Sequence, residues 1–85
     1  MDDPTRPTPY EARFPPGAQV RIVDLPELAR FQADWKNHHP LEPEQLEHAG
    51  VVTRVRSVTY YEGGDPLYSL EKVPGHWHEQ CLRPA

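Results

Sequence analysis

The sequence predicts a mainly β fold: a small barrel of about five antiparallel strands, with one short helix in its long first connection. Three observations carry that expectation. Eleven prolines spread over 85 residues break up any long helix. Runs rich in Val, Ile, Thr and Tyr recur at short intervals, separated by Gly- and Pro-containing turns. Only one stretch, residues 26–36, places apolar residues at helical spacing.

Residues 1–13 read as a flexible, Pro-rich leader, and residues 14–85 as the barrel domain. In the leader, Pro4, Pro7 and Pro9 alternate with polar residues and no apolar period develops. The sharper alternative is a polyproline-type strand offered to a partner. Phe14 precedes the Pro16-Gly17 turn and is placed to cap the core. Val20 and Ile22 then alternate with Gln19 and Arg21, the pattern of a half-buried strand.

The period changes at Asp24. That residue suits a helix N-cap, and Pro26 falls in the first turn, where a missing N–H costs nothing. Leu28, Phe31 and Trp35 follow at helical spacing, and Asn37 suits the C-terminal end. The connector "HHPLEPEQLEHAG" is polar and has room for one helical turn in "EPEQLEH".

"VVTRVRSVTYY" is the strongest strand. Val51, Thr53 and Val55 share one face, but Val58 and Tyr60 continue the apolar set with the parity shifted by one. A strand with period two does that only through a bulge or bend, here near Ser57. "EGGDP" is a turn, "LYSLEKV" a strand, and Pro74-Gly75 reads as a tight type II turn. "HWH" is then a short strand and "EQCLRP" a single 3₁₀ turn.

Charge and composition narrow the function classes. Nine basic residues stand against thirteen acidic ones, for a formal charge of −4. Phosphate-backbone binding requires clustered Lys and Arg, so nucleic acid is not implied, although Arg54 and Arg56 share a strand face. A single cysteine forbids an internal disulfide and points to the cytoplasm. No apolar run approaches the ~20 residues of a membrane helix, and "MDDPTRPTPYEAR" lacks a signal-peptide pattern. A domain this small buries only about 60–65% of its unfolded surface, which leaves a thin core.

The segment "GHWHEQC" holds the chemistry candidates. Strand alternation places His76 and His78 on one face and Trp77 on the other, in the core. His76, His78 and Cys81 could share a metal ion, with a fourth ligand from His38, His39, His48 or Glu79. Their spacing matches no common zinc pattern. The alternative is a solvated strand edge with Cys81 as a small buried apolar residue. Thiol catalysis by Cys81 beside His78 has the right residue types, but Glu79 opposes a thiolate and no oxyanion-stabilising element is evident. No catalytic residue and no cofactor are implied. His38-His39 is a pair that could change charge near neutral pH, or simply an exposed polar loop. Glu42, Glu44 and Glu47 read as a solvated face. Tyr60, Tyr61 and Tyr68 flank the glycine turn, with Tyr60 and Tyr68 favoured as core and Tyr61 as either an interface residue or a merely exposed one.

In its order of parts the sequence resembles an SH3-like barrel. The resemblance rests on "PPGAQVRI", "AGVVTRV", "LYSL" and "GHWHEQCLRPA", and covers roughly residues 14–85. The layout is similar to the C-terminal barrel of nitrile hydratase β subunits and to small stand-alone bacterial and phage proteins. The loop "LPELARFQADWKNHHPLEPEQLEH" departs from the basic loop of the hydratase subunit, whose metal is held by the other subunit. No metal ligand therefore carries over. The resemblance implies a barrel that packs against another protein, either as an interaction module or as a non-catalytic subunit-like piece of a larger enzyme. Trp35, Tyr61, His76 and His78 are the candidate partner-binding residues.

Overall fold

The computed structural model describes residues 11–85, so residues 1–10 of the leader expected over 1–13 lie outside the described residues. At its N-terminal end the described chain is tied down. Ala12 packs against the core, and the backbone N–H of Arg13 donates to Glu79 Oε2 at 3.0 Å.

Five strands form one open antiparallel sheet in the order β4-β3-β2-β1-β5. They are β1 (Gln19–Ile22), β2 (Val52–Tyr60), β3 (Pro66–Leu70), β4 (Val73–His78) and β5 (Leu82–Pro84). Helix α1 (Leu25–Asp34) and a 3₁₀ helix (Pro43–His48) occupy the connection from β1 to β2, and a second 3₁₀ turn (Glu79–Cys81) joins β4 to β5. The mainly β class, the five antiparallel strands and the short helix in the first long connection all follow the sequence expectation.

The sheet folds around one core because β2 belongs to both halves of it. Val52, Thr53 and Arg54 pair with β1, while Val55 to Tyr60 pair with β3. The register shifts between Val55 and Ser57, where the apolar parity of the sequence breaks. Val20, Ile22 and Leu82 from one half therefore meet Tyr68, Leu70 and Trp77 from the other. Phe14 closes the cluster, edge-on to Tyr68 with ring centroids 5.9 Å apart.

Helix α1 stops at Asp34, two residues before the expected end. Trp35 turns to extended backbone, so Asn37 lies beyond the helix. Asp24 sits at the N-cap, but its carboxylate accepts from Arg21 Nη1 at 2.8 Å and caps nothing. Leu28 reaches the core, while Phe31 and Trp35 are half-buried outside it.

The hairpin between β3 and β4 differs from the sequence reading. The turn is Glu71–Lys72, with Lys72 at φ 61°, and Leu70 pairs with Val73 across it. Pro74-Gly75 lies inside β4 instead. Proline is tolerated there because β4 is a sheet edge, and Gly75 takes φ 98°. Among the described residues, no helix is long and apolar enough to cross a membrane.

Candidate functional site

The site is built on the two faces of β4. Trp77 points inward and is fully buried, with its indole N–H donating to Pro74 O at 3.2 Å. His76 and His78 face the other way, as alternation requires. They do not share one environment. His76 is exposed, but His78 is only 2% exposed, because α1 lays Phe31 and Trp35 over it. The Trp35 ring lies 4.5 Å from the His78 ring, Phe31 lies 5.2 Å from it, and Phe31 stacks on Trp35. The solvated-edge expectation is corrected for His78: strand parity sees the face, not the helix that covers it.

The segment after α1 brings in two more histidines. Trp35 Nε1 donates to His38 O at 2.6 Å, which fixes the turn out of the helix. His39 adopts φ 50°, a left-handed conformation uncommon for a non-glycine residue. That bend aims its carbonyl at His78, whose Nε2 lies 2.8 Å away. A carbonyl only accepts, so Nε2 of His78 carries the hydrogen. Burial pulls the pKa of His78 below its ordinary value, the neighbouring His38 and His39 add to the fall, and the bond to His39 O and the charge of Asp65 oppose it.

The glycine turn after β2 supplies the remaining wall. Tyr61 N–H donates to Asp65 O at 2.9 Å, closing a turn that holds Gly63 and Gly64 at positive φ. Tyr61 stacks on His38 with ring centroids 3.9 Å apart, and Asp65 Oδ2 lies 3.0 Å from His38 Nε2. His38 Nδ1 in turn lies 3.0 Å from His39 Nδ1. The ring of His39 packs edge-on against that of His76, 5.4 Å away. Asp65, His38 and His39 thus form a continuous chain of hydrogen-bonding contacts. Among the described residues no hydroxyl or thiol hydrogen-bonds to either imidazole.

Beside this cluster runs an open groove of about 750 Å³. Its floor is Phe31, Trp35, His78 and Pro66, and its rim carries Arg13, Arg30 and Arg83 against Glu27, Asp34, Asp65 and Glu79. Much of that charge is already engaged. Arg83 pairs with Glu27, and Arg13 lies 5.1 Å over the Phe14 ring. Glu79 accepts from the Tyr68 hydroxyl at 2.7 Å, and burial together with this carboxylate raises the Tyr68 pKa. The side chains of Arg30 and Asp34 have no hydrogen bond or ion pair among the described residues.

The candidate residues therefore separate. Trp35 and His78 line the groove, while Tyr61 and His76 lie beyond it, against His38 and His39. The set His76, His78 and Cys81 does not converge. Cys81 is fully buried in the core, and burial pushes its thiol up to about 12. Among the described residues no group of three or more His, Cys, Asp or Glu side chains is arranged to hold a metal ion. His48 lies edge-on to Trp77, away from the cluster. Tyr68 is core, and Tyr60 is 39% exposed, against the core position expected for it. Sequence reasoning missed Phe31, Asp65 and the groove's arginines as site residues; the helical spacing of Phe31 with Trp35 was the signal available for the first. Compared with family models, curated proteins and solved structures, the chain matches none.

Proposed function

We propose that this chain is a non-enzymatic, cytoplasmic, SH3-like protein-interaction module whose contact surface is the groove over Phe31, Trp35 and His78. The likeness draws support from the strand order, with β2 shared between both halves of the sheet and a 3₁₀ turn before the last strand. The single observation that carries the binding role is an aromatic floor within a charged rim that holds unpaired Arg30 and Asp34. Half-buried aromatics ringed by charge are the composition of an interface centre, and the groove volume falls within the range of binding clefts. Tyr61 and His76 extend the surface past the histidine pair. The non-catalytic part of the reading draws on the buried, high-pKa thiol of Cys81 and on the tethering of His78 to a backbone carbonyl. The subunit-like alternative, a wall of a nitrile-hydratase-like complex, rests on the sequence resemblance alone.

The test is quantitative affinity capture from extract of the source cells, with charge reversals as controls. Arg30→Glu and Asp34→Lys break no hydrogen bond or ion pair among the described residues and should leave the melting temperature unchanged. Each should weaken a specific partner by about tenfold or more. A reversal at exposed Arg54, on β2, should not. Equal capture by all three variants overturns the assignment of the groove.

A further inference from the structure

Two of the clustered histidines share a hydrogen bond with room for one proton. His38 Nε2 faces a carboxylate oxygen of Asp65 at 3.0 Å, so it carries hydrogen and donates. With both rings neutral, His38 presents a bare Nδ1 to His39 Nδ1–H across 3.0 Å. Add one proton, at His39 Nε2, and one N–H still faces one lone pair, whichever ring holds the bridging hydrogen. Add a second, and both Nδ1 atoms carry hydrogen. Two donors and two positive charges then face each other at hydrogen-bond distance, and the contact cannot persist.

That contact holds a particular piece of chain. The carbonyl of His38 accepts from Trp35 Nε1, and the carbonyl of His39 accepts from His78 Nε2. His39 keeps its left-handed backbone only while such contacts hold it. We propose that His38 and His39 form a proton-operated latch: with at most one extra proton the segment 37–40, which ends just before the core residue Leu41, stays closed over β4, and the second proton releases it and uncovers Trp35 and His78. The inference stands apart from the proposed partner, because it concerns the chain alone.

The groups facing the pair are few. From the turn between β2 and β3 come Asp65, the hydrogen-bond partner of His38 Nε2, and Tyr61, stacked on the His38 ring. From β4 come His76, edge-on to His39, and His78, whose ring lies 5.5 Å from His38. From the end of α1 comes Trp35, 5.6 Å from His38. Lys36 turns away to bond Ala33 O. Apart from Asp65, no carboxylate contacts either ring among the described residues, so nothing else compensates the second charge.

The test follows the whole chain by NMR from about pH 8 to pH 5, the range in which imidazoles charge. Ring nitrogen shifts count the protons on His38 and His39, and exchange of the Trp35 indole N–H, which donates to His38 O, reports the closure of the segment. Protection there should fall about tenfold or more while core strands stay protected, and it should fall with the second proton rather than the first. His39→Gln offers a carbonyl oxygen to His38 Nδ1–H, so this variant should stay closed across the range. His76→Gln should open like the parent. Opening on the first proton, loss of protection only with global unfolding, or unchanged opening in His39→Gln would each overturn the latch; the last assigns the event to His78. The parent-chain readouts stand even if a variant fails to fold.

Discussion

Gly75→Ala is the sharpest probe of how β4 is held, and β4 carries both His76 and His78. An added Cβ at Gly75 would lie 2.9 Å from Gln45 Nε2 and 3.1 Å from its Cδ. A long side chain can usually swing clear of such a clash. Gln45 cannot do so freely, because it is 5% exposed and tied at both ends of its amide. Its Oε1 accepts from Glu42 N–H at 2.8 Å, and its Nε2 donates to His76 O at 2.9 Å. Moving it loosens the first 3₁₀ helix from β4 and leaves buried polar groups poorly paired, at a cost of about 1–2 kcal/mol. The backbone adds a second cost. Gly75 has φ 98°, and a side chain in that region costs about 1–3 kcal/mol. The sum is roughly 2–5 kcal/mol, a large share of the stability of a domain this small. For a chain of this size that corresponds to a fall in Tm of roughly 8–40 °C. Thermal and urea melts followed by circular dichroism measure it, and a double-mutant cycle with Gln45→Ala separates the two costs. Without the Gln45 amide the clash disappears and only strain remains, so Gly75→Ala should cost about 1 kcal/mol less in that background. A cost under ~0.5 kcal/mol, or a cycle additive within ~0.5 kcal/mol, would refute the reasoning.

His78 and Cys81 make two further predictions. The pKa of His78 is lowered by burial, so as pH falls the unfolded chain takes up this proton before the folded one does. Its contribution to stability is whole above the unfolded value of about 6.5 and is lost as pH falls through the folded value, at up to ~1.4 kcal/mol per pH unit. Urea melts between about pH 8 and pH 5 should show that slope, and His78→Gln should flatten it; equal slopes would remove the argument. Cys81, fully buried with its thiol pushed up to about 12, should resist alkylation in the folded chain at neutral pH and react only as fast as the chain unfolds. Rapid labelling without loss of structure would contradict its placement.

How much was legible in the sequence depended on the range of the interaction behind each feature. The bend in β2 could be read from Val55 and Val58, because apolar parity is a local record of which side is buried, although the same parity put the exposed Tyr60 in the core. Helix α1 could be read from Leu28, Phe31 and Trp35 for the same reason. The β3–β4 turn could not. Pro74-Gly75 carries the stronger turn chemistry, but the turn fell at Glu71–Lys72, where Lys72 takes a positive φ that its residue type does not advertise. Tertiary pairing of Leu70 with Val73 decided the matter. His76 and His78 were correctly put on one face of their strand, yet nothing in their spacing reveals that α1 seals His78 and leaves His76 in water. The pairing of His38 with Asp65, and of His78 with the carbonyl of His39, joins segments distant in sequence and leaves no local periodic trace.

The cluster itself follows from how little core this chain has. The inner face of the sheet is filled by Trp77, Tyr68, Leu70, Ile22 and Leu82. The outer face of β4 must then be covered by whatever the first long connection can supply, and α1 has already committed Leu28 to the core. What remains is Phe31, Trp35 and a run of histidines. Imidazoles cover a surface only if their nitrogens find partners, which is why the cover is a chain of hydrogen bonds from Asp65 to His38 to His39, with His39 O receiving His78. Aliphatic residues at 38 and 39 would need no partners and would make a cover indifferent to protons. The histidine version ties the closure of the segment to the number of protons it holds, and the same closure sets how much of Trp35 the groove presents. If both readings hold, binding at the groove and protonation at the pair are linked, and a partner that prefers one state of the segment must shift the proton uptake of the pair by the same free energy by which the protons shift its affinity.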